Sequence, residues 1–350
     1  MAQSKQEVLI LSGLKCHHEN EILNAEGLFN IKHISDPATL EKMQDEEYNQ
    51  AVAILSDHLF KLDKKFLDRM PRLKVVIRMG VGFDNVDIKC AGSMGIAVLN
   101  VPDYGTEEVA DSGVCLILNL YRQTFNLACR MRDGQVMGQQ QIFEFAPSAR
   151  RIRDKKLGLI GLGKIGLSLA NKCRALGFIV QYFDPYIDAK RASEYKTQFD
   201  LTQSTKLPEL LGESDCIVTL CPLTEETKHM INTERIKLMK DRAFIVNVSR
   251  GGLVDENALA VALKSGKIAG AALDVHECEP FVFANSPLKE CDNIICTPHS
   301  AFYSQESVYE LATKGCIQIS LGLKGNTIDK LQNCVNSKYL CSEEVNKRWK

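Results

Sequence analysis

The 350-residue chain lacks several features that would narrow its function at once. It has no charge of one dominant sign: 43 Lys and Arg stand against 44 Asp and Glu, a formal net charge of −1. That balance gives no general electrostatic attraction to nucleic acid or to a membrane surface, so neither is expected as a direct partner. No run approaches the roughly twenty apolar residues that span a bilayer. The amino-terminal stretch carries only the short apolar segment Val8–Leu11, too brief for a signal peptide. The thirteen cysteines include no C-x-x-C pair, which argues against a zinc site or a disulfide framework, so no metal is expected. Scattered thiols of this number, several of them (Cys115, Cys216, Cys296) inside apolar patterns, fit a reducing compartment, cytosol or nucleus. There is no solenoid-length repeat and no low-complexity tract.

What is present is the composition of an ordinary globular protein, 45% hydrophobic and 25% charged, with length for about two domains. Apolar strand signals alternate with amphipathic helix signals. In the first hundred residues strands are expected at Val8–Leu11, Ile31–Ile34, Ala51–Leu55, Lys74–Arg78 and Ala97–Asn100, with helices at Glu21–Leu28, Thr39–Gln44 and Leu62–Met70. Continuous apolar strands of this kind belong to a parallel sheet covered on both faces. After Pro102 one long helix is expected from about Thr106 to Arg132, then a polar, glutamine-rich surface segment from Asp133 to Ser148. The alternation resumes with strands at Leu157–Ile160, Val180–Asp184, Cys216–Cys221, Ala243–Val248, Gly270–Val275 and Asn293–Cys296. Helical periodicity returns at Tyr303 to about Leu323.

The most informative stretch is Gly161-Leu-Gly163-Lys164-Ile165-Gly166, a G-x-G-x-x-G placed between a short strand and a helix. A dinucleotide needs that arrangement: one glycine for the tight turn, one for close approach of the pyrophosphate, one for helix-on-strand packing. Asp184 ends the next strand, about twenty residues on, where a carboxylate meets the ribose hydroxyls and repels a 2′-phosphate, favouring NAD(H). The alternative for Asp184 is a turn acid before Pro185. A doubly wound, Rossmann-type sheet follows from this pattern, with a second α/β domain ahead of it.

Ligands of open parallel sheets bind beyond the carboxyl ends of the strands. Three strand ends here deliver Arg250, then Glu279, then Thr297-Pro-His299 to the same edge as the nucleotide turn. Reduction of a 2-keto acid requires a fixed cation for the carboxylate, a proton donor at the carbonyl and an adjacent hydride. Arg250 offers the permanent bidentate charge, His299 the proton, and Glu279 a partner for the far ring nitrogen. Taken singly, each has a plain alternative: a surface ion pair, a solvated acid, a capping histidine. In the first domain Met79-Gly-Val-Gly82 follows a buried strand, and it is either a small-anion turn beside Arg78 or an ordinary strand-to-helix connection.

These stretches, with Asn247–Glu256, Gly270–Val275, Glu279-Pro280 and Thr297–His299, resemble the signature series of the D-isomer-specific 2-hydroxyacid dehydrogenases. Within that family Gly82–Asn85, Ala110–Ser112, Ile117–Arg122, Asp274–Phe281, Ile295–His299 and Asn333–Asn336 are similar to the C-terminal-binding proteins, which are NAD(H)-dependent transcriptional corepressors. The resemblance implies a flavodoxin-like substrate and partner domain of residues 1–102 plus 308–350, and an NAD(H)-binding, dimerising domain of residues 103–307. It implies that Arg250 with Val81 and Gly82 holds a substrate carboxylate, that His299 is the acid/base and that Glu279 is its partner. Gly161, Gly163, Lys164, Ile165, Gly166 and Asp184 would contact NAD(H), with Cys221, Val248 and Asp274 toward the nicotinamide. Arg78 would lie near substrate. Phe302 stands where the corepressors have tryptophan, and Val81 where they have serine. A homodimer or higher homo-oligomer, a small 2-keto acid, short transcription-factor peptides and a nuclear or cytoplasmic location are implied. A metabolic dehydrogenase without a corepressor role is the other reading.

Overall fold

A computed structural model of the chain describes residues 5–13, 18–24, 27–135, 138–325 and 327–349. In chain order the elements begin with β1 (Gln6–Leu11), α1 (His18–Asn24), β2 (Phe29–Ile34), α2 (Pro37–Lys42), β3 (Ala51–Ser56), α3 (Lys64–Leu67), β4 (Val75–Arg78), α4 (Ile88–Ser93) and β5 (Ala97–Asn100). There follow α5 (Thr106–Arg122), α6 (Thr124–Arg132), α7 (Gln139–Phe145), β6 (Lys156–Ile160), α8 (Lys164–Ala175), β7 (Ile179–Phe183), α9 (Ala189–Phe199) and β8 (Thr202–Gln203). The chain continues through α10 (Leu207–Glu213), β9 (Cys216–Thr219), α11 (Thr233–Leu238), β10 (Ala243–Asn247), α12 (Glu256–Lys264), β11 (Ile268–Leu273) and β12 (Ile294–Cys296). It closes with α13 (Gln305–Gly325) and α14 (Ser342–Trp349). Two compact units result: Met1–Gly105 with Ser304–Lys350, and Thr106–Tyr303. The divisions fall a few residues inside the 103 and 307 expected, where α5 and α13 begin.

The first unit is a parallel sheet of order β2-β1-β3-β4-β5, the flavodoxin-like arrangement. β3 and β4 are buried along their whole length because helices cover both faces. The returning tail closes the β5 edge. Val335 donates to the Val98 carbonyl at 2.9 Å, and the buried Asn336 side chain accepts from Val98 N–H at 2.9 Å and donates to the Ile96 carbonyl at 2.9 Å. Pairing the edge groups in this way removes an otherwise open strand. Trp349 is buried, its indole N–H directed at the Gly95 carbonyl.

The second unit is a seven-stranded parallel sheet of order β12-β11-β10-β9-β6-β7-β8. Counted from β6 this is the 3-2-1-4-5-6 Rossmann order with one further strand, and strand order reverses between β6 and β9. One face is filled by Leu116, Leu120 and Tyr121 of α5 and Leu169 and Cys173 of α8; the other by Leu210, Ile236, Leu259 and Leu263 of α10, α11 and α12. α5 lies close on α8 at Gly113, where a Cβ would come within 2.6 Å of the Leu169 side chain. Asn232 and Asp255 cap α11 and α12 by accepting from the first-turn amides, each worth roughly 1 kcal/mol.

Three local expectations differ from the structure. The single helix expected over residues 106–132 is two, α5 and α6, broken at Gln123, which adopts a left-handed conformation (φ 55°). The cause is Asn119: its side-chain oxygen accepts from Thr124 Oγ1 at 2.7 Å and from Phe125 N–H at 3.2 Å, capping a new helix. The segment expected to be only polar surface carries α7, and the helix expected over Leu62–Met70 is the single turn α3. No helix among the described residues is long and apolar enough to cross a membrane.

Candidate active site

The glycine turn sits at the point where strand order reverses. Gly161 has φ 95°, and a Cβ there would meet the Cys221 backbone nitrogen at 2.9 Å, so the ends of β6 and β9 approach as only glycine permits. A Cβ at Gly166 would stand 2.9 Å from the Gly161 carbonyl, the close helix-on-strand contact required of the third glycine. Gly163, at the N-cap of α8, has open space in front of it, and Lys164 beside it is exposed. The positive N-terminal end of α8 is therefore set beside a position where a pyrophosphate fits. Asp184 ties the turn to β7: its carboxylate accepts from Leu162 N–H at 2.9 Å and Tyr186 N–H at 3.0 Å. Ile165 is half-buried on α8. Val248, 6% exposed, closes the core at the end of β10, and burial pushes the Cys221 thiol up to about 11. Open backbone at Gly163 and an acid at the end of β7 are the fit that a dinucleotide requires.

The catalytic candidates come from three adjacent strands. Glu279 Oε2 lies 2.8 Å from His299 Nδ1, and Glu279 Oε1 accepts from His276 N–H at 3.0 Å. Both side chains are about one-fifth exposed, close enough to water to exchange protons yet shielded enough to hold their geometry. The imidazole edge faces Phe302, whose ring centroid is 6.3 Å away at 81°. His299 adopts φ 54°, a left-handed conformation that loops hold only with support. Its N–H donates to the Asp274 carbonyl at 2.7 Å.

Asp274, expected toward the nicotinamide, is 1% exposed and turned into the loop that carries His299. Its carboxylate accepts from Thr297 Oγ1 at 2.6 Å, Ser300 N–H at 3.0 Å and Ala301 N–H at 2.9 Å. Asn247 is a second anchor that pattern reading passed over. Fully buried at the end of β10, it accepts from Thr219 Oγ1 at 2.8 Å and donates to the Arg250 carbonyl at 2.8 Å, fixing the loop beyond the strand. A third is Gly251: a Cβ there would lie 1.9 Å from the His276 carbonyl carbon, so the Arg250 and Glu279 loops touch backbone to backbone. His276 locks the same loop by stacking on Phe281 (3.6 Å, 12°) and pairing its Nε2 with the Thr297 carbonyl at 3.0 Å. The available signal was a polar residue closing each apolar strand.

Arg78, Val81 and Gly82 belong to the first unit. Arg78 is 5% exposed and donates to the Met79 carbonyl at 2.8 Å. Gly80 (φ 140°) makes room for its guanidinium, which a Cβ would meet at 1.6 Å. Val81 is 46% exposed, and its carbonyl accepts from the Asn100 side chain at 2.7 Å.

A family model, the D-isomer specific 2-hydroxyacid dehydrogenase NAD-binding domain, matches residues 114–301. The chain belongs to this family. Its second unit is thus the NAD-binding domain of the D-isomer specific 2-hydroxyacid dehydrogenases, a family of NAD-dependent oxidoreductases. Two relatives are similar at nearly equal identity. C-terminal-binding protein 1 of Caenorhabditis elegans is 34% identical over 99% of this chain, which spans only 47% of that relative's length. Glyoxylate/hydroxypyruvate reductase B of Cronobacter sakazakii is 35% identical over 89% of this chain and 93% of its own. Among solved structures, D-lactate dehydrogenase of Aquifex aeolicus, complexed with NAD and lactic acid, matches with a TM-score of 0.79 and 30% identity, covering 91% of this chain and 96% of that one. The chain is thus nearly as similar to a C-terminal-binding protein as to a glyoxylate/hydroxypyruvate reductase.

Proposed function

We propose that this chain interconverts a small 2-keto acid and the corresponding 2-hydroxy acid with NAD(H). The Glu279–His299 pair carries the reading, because a histidine held by a carboxylate at its far nitrogen presents the near one to a reacting oxygen. In the reducing direction His299 Nε2 delivers a proton to the carbonyl oxygen while Nδ1–H remains donated to Glu279, which fixes the orientation of the ring. Arg250 pairs with the substrate carboxylate and orients the carbonyl. NAD(H), when bound, supplies or takes the hydride at the carbonyl carbon. Phe302 gives the histidine an apolar flank, and Asp274 and Asn247 hold the two loops in register.

The test is NADH oxidation with glyoxylate, hydroxypyruvate and pyruvate. His299→Ala should lower kcat by about 10²- to 10⁴-fold, the range of general acid–base catalysis, with NADH affinity retained. An unchanged rate sinks the assignment.

A second reading is supported by similarity to the nematode C-terminal-binding protein across almost the entire chain. On that reading the same dinucleotide occupancy favours a homodimer or higher homo-oligomer in the nucleus or cytoplasm, and the first unit recruits short transcription-factor peptides. A pull-down with and without NADH tests it; peptide capture that is absent in both conditions speaks for a purely metabolic enzyme.

A further inference from the structure

Arg250 and Glu279 lie on different loops of the second unit, and one residue outside both loops is bonded to each of them. His229, in the connection between β9 and α11, donates its backbone N–H to the Gly252 carbonyl at 2.7 Å. The chain then runs beside the segment that follows Arg250: Ile231 N–H donates to the Leu253 carbonyl at 2.9 Å, and Ile231 forms a parallel bridge with Val254. The His229 ring reaches the other loop, where Nε2 meets Glu277 Oε1 at 2.5 Å, two residues before Glu279. A carboxylate can only accept, so Nε2 carries the proton. His229 has φ 47°, a left-handed conformation that a residue with a side chain holds only where its surroundings fix it.

Glu277 is tied on its other side as well. Its Oε2 accepts from Glu256 N–H at 3.1 Å, and its own N–H donates to Glu256 Oε1 at 3.0 Å. That exchange joins the Glu279 loop to the first residue of α12, where Glu256 is 5% exposed and its negative charge suits the helix start. The oxygen of Glu277 that α12 does not hold is the one that His229 takes. The His229 and Glu277 side chains are 38% and 29% exposed, and pairs as open as this add little to global stability. The consequence of the contact is therefore local. It closes a link from the Arg250 segment, through the His229 backbone and ring, to the Glu279 segment.

We propose that His229, acting through Glu277, is a positioning residue: it sets the spacing of the Arg250 and Glu279 loops and thereby the aim of His299. The inference rests on the function proposed above.

The test compares His229→Ala, His229→Gln, Glu277→Ala and the His229→Ala/Glu277→Ala double variant with the wild-type chain, using the best substrate among glyoxylate, hydroxypyruvate and pyruvate. His229→Ala should lower kcat about tenfold through misplacement of the loops, with NADH affinity and the denaturation midpoint close to wild type. His229→Gln, whose amide offers a donor nitrogen in place of Nε2, should recover most of that loss. The double variant should be no slower than Glu277→Ala, because the two side chains act as one unit. Hydrogen exchange of the segment 275–281 should be about tenfold faster in His229→Ala and restored in His229→Gln, a readout that needs no turnover. Wild-type kcat in His229→Ala, no recovery in His229→Gln, or additive losses in the double variant overturns the positioning role. Unchanged exchange in His229→Ala overturns the link between the loops. Faster exchange in a chain whose wild type reduces none of the three acids overturns the proposed function, and the positioning role with it, while the link itself stands.

Discussion

Replacing Gly251 by alanine adds one methyl group where the Arg250 loop meets the His276 backbone. The new Cβ would lie 1.9 Å from the His276 carbonyl carbon, 2.0 Å from its oxygen and 2.6 Å from Glu277 nitrogen. All three are backbone atoms, so no rotamer change relieves the clash. Restoring an ordinary contact separates the two loops by about 1 Å or more, and displacement of this size typically costs catalysis about 10²-fold. One loop carries Arg250, and the other carries Glu279 and hence the orientation of His299. Overpacking of a tight contact costs about 1–3 kcal/mol of stability. The expected result for Gly251→Ala is therefore a kcat/KM for the best keto acid lowered about 10²-fold, with a modest fall in denaturation midpoint. NADH affinity, which we assign chiefly to Gly161–Gly166 and Asp184, should change far less. Steady-state kinetics, NADH fluorescence titration and denaturation together separate these effects. Wild-type kcat/KM and stability in Gly251→Ala would refute the claim that backbone contact between these loops sets the site.

Two further perturbations follow. Asp184→Asn keeps an oxygen to accept from a backbone amide but removes the charge, so the preference for NADH over NADPH should fall by about tenfold or more, an effect of losing the repulsion toward a 2′-phosphate; an unaltered ratio in fluorescence titrations contradicts that role. Burial pushes the thiols of Cys221 up to about 11 and of Cys173 and Cys296 up to about 12, above the ordinary value of 9.0. Unfolded thiols lose their protons first as pH rises past 9, so the folded state binds more protons there and its stability should fall progressively from about pH 9 toward 12. Urea denaturation at pH 7, 9 and 10.5 measures the slope, which Cys173→Ala with Cys296→Ala should flatten; an equally steep slope in that variant would assign the loss to other groups.

Much of this protein is written locally. The glycine spacing at 161, 163 and 166 and the acid at 184 specify a turn because each position answers a short-range demand: a positive φ, a close approach, a helix start, a carboxylate at a strand end. The placement of Arg250, Glu279 and His299 was readable for a related reason, since parallel strands deliver their carboxyl ends to one edge whatever the details between them. Strand periodicity likewise located both sheets to within a residue or two at most boundaries.

Other features depend on partners distant in sequence, and periodicity does not carry them. The helix break at Gln123 arises because Asn119 turns its side chain onto the next helix rather than into solvent. The bonds that Asp274 accepts from Thr297, Ser300 and Ala301 join the end of β11 to a loop more than twenty residues on, a pairing that strand periodicity does not carry. Local chemistry thus determined the glycine turn and which polar groups the strand ends carry. Tertiary contact alone decided which polar side chains became anchors, because hydrogen-bond partners are supplied by whatever the fold brings near.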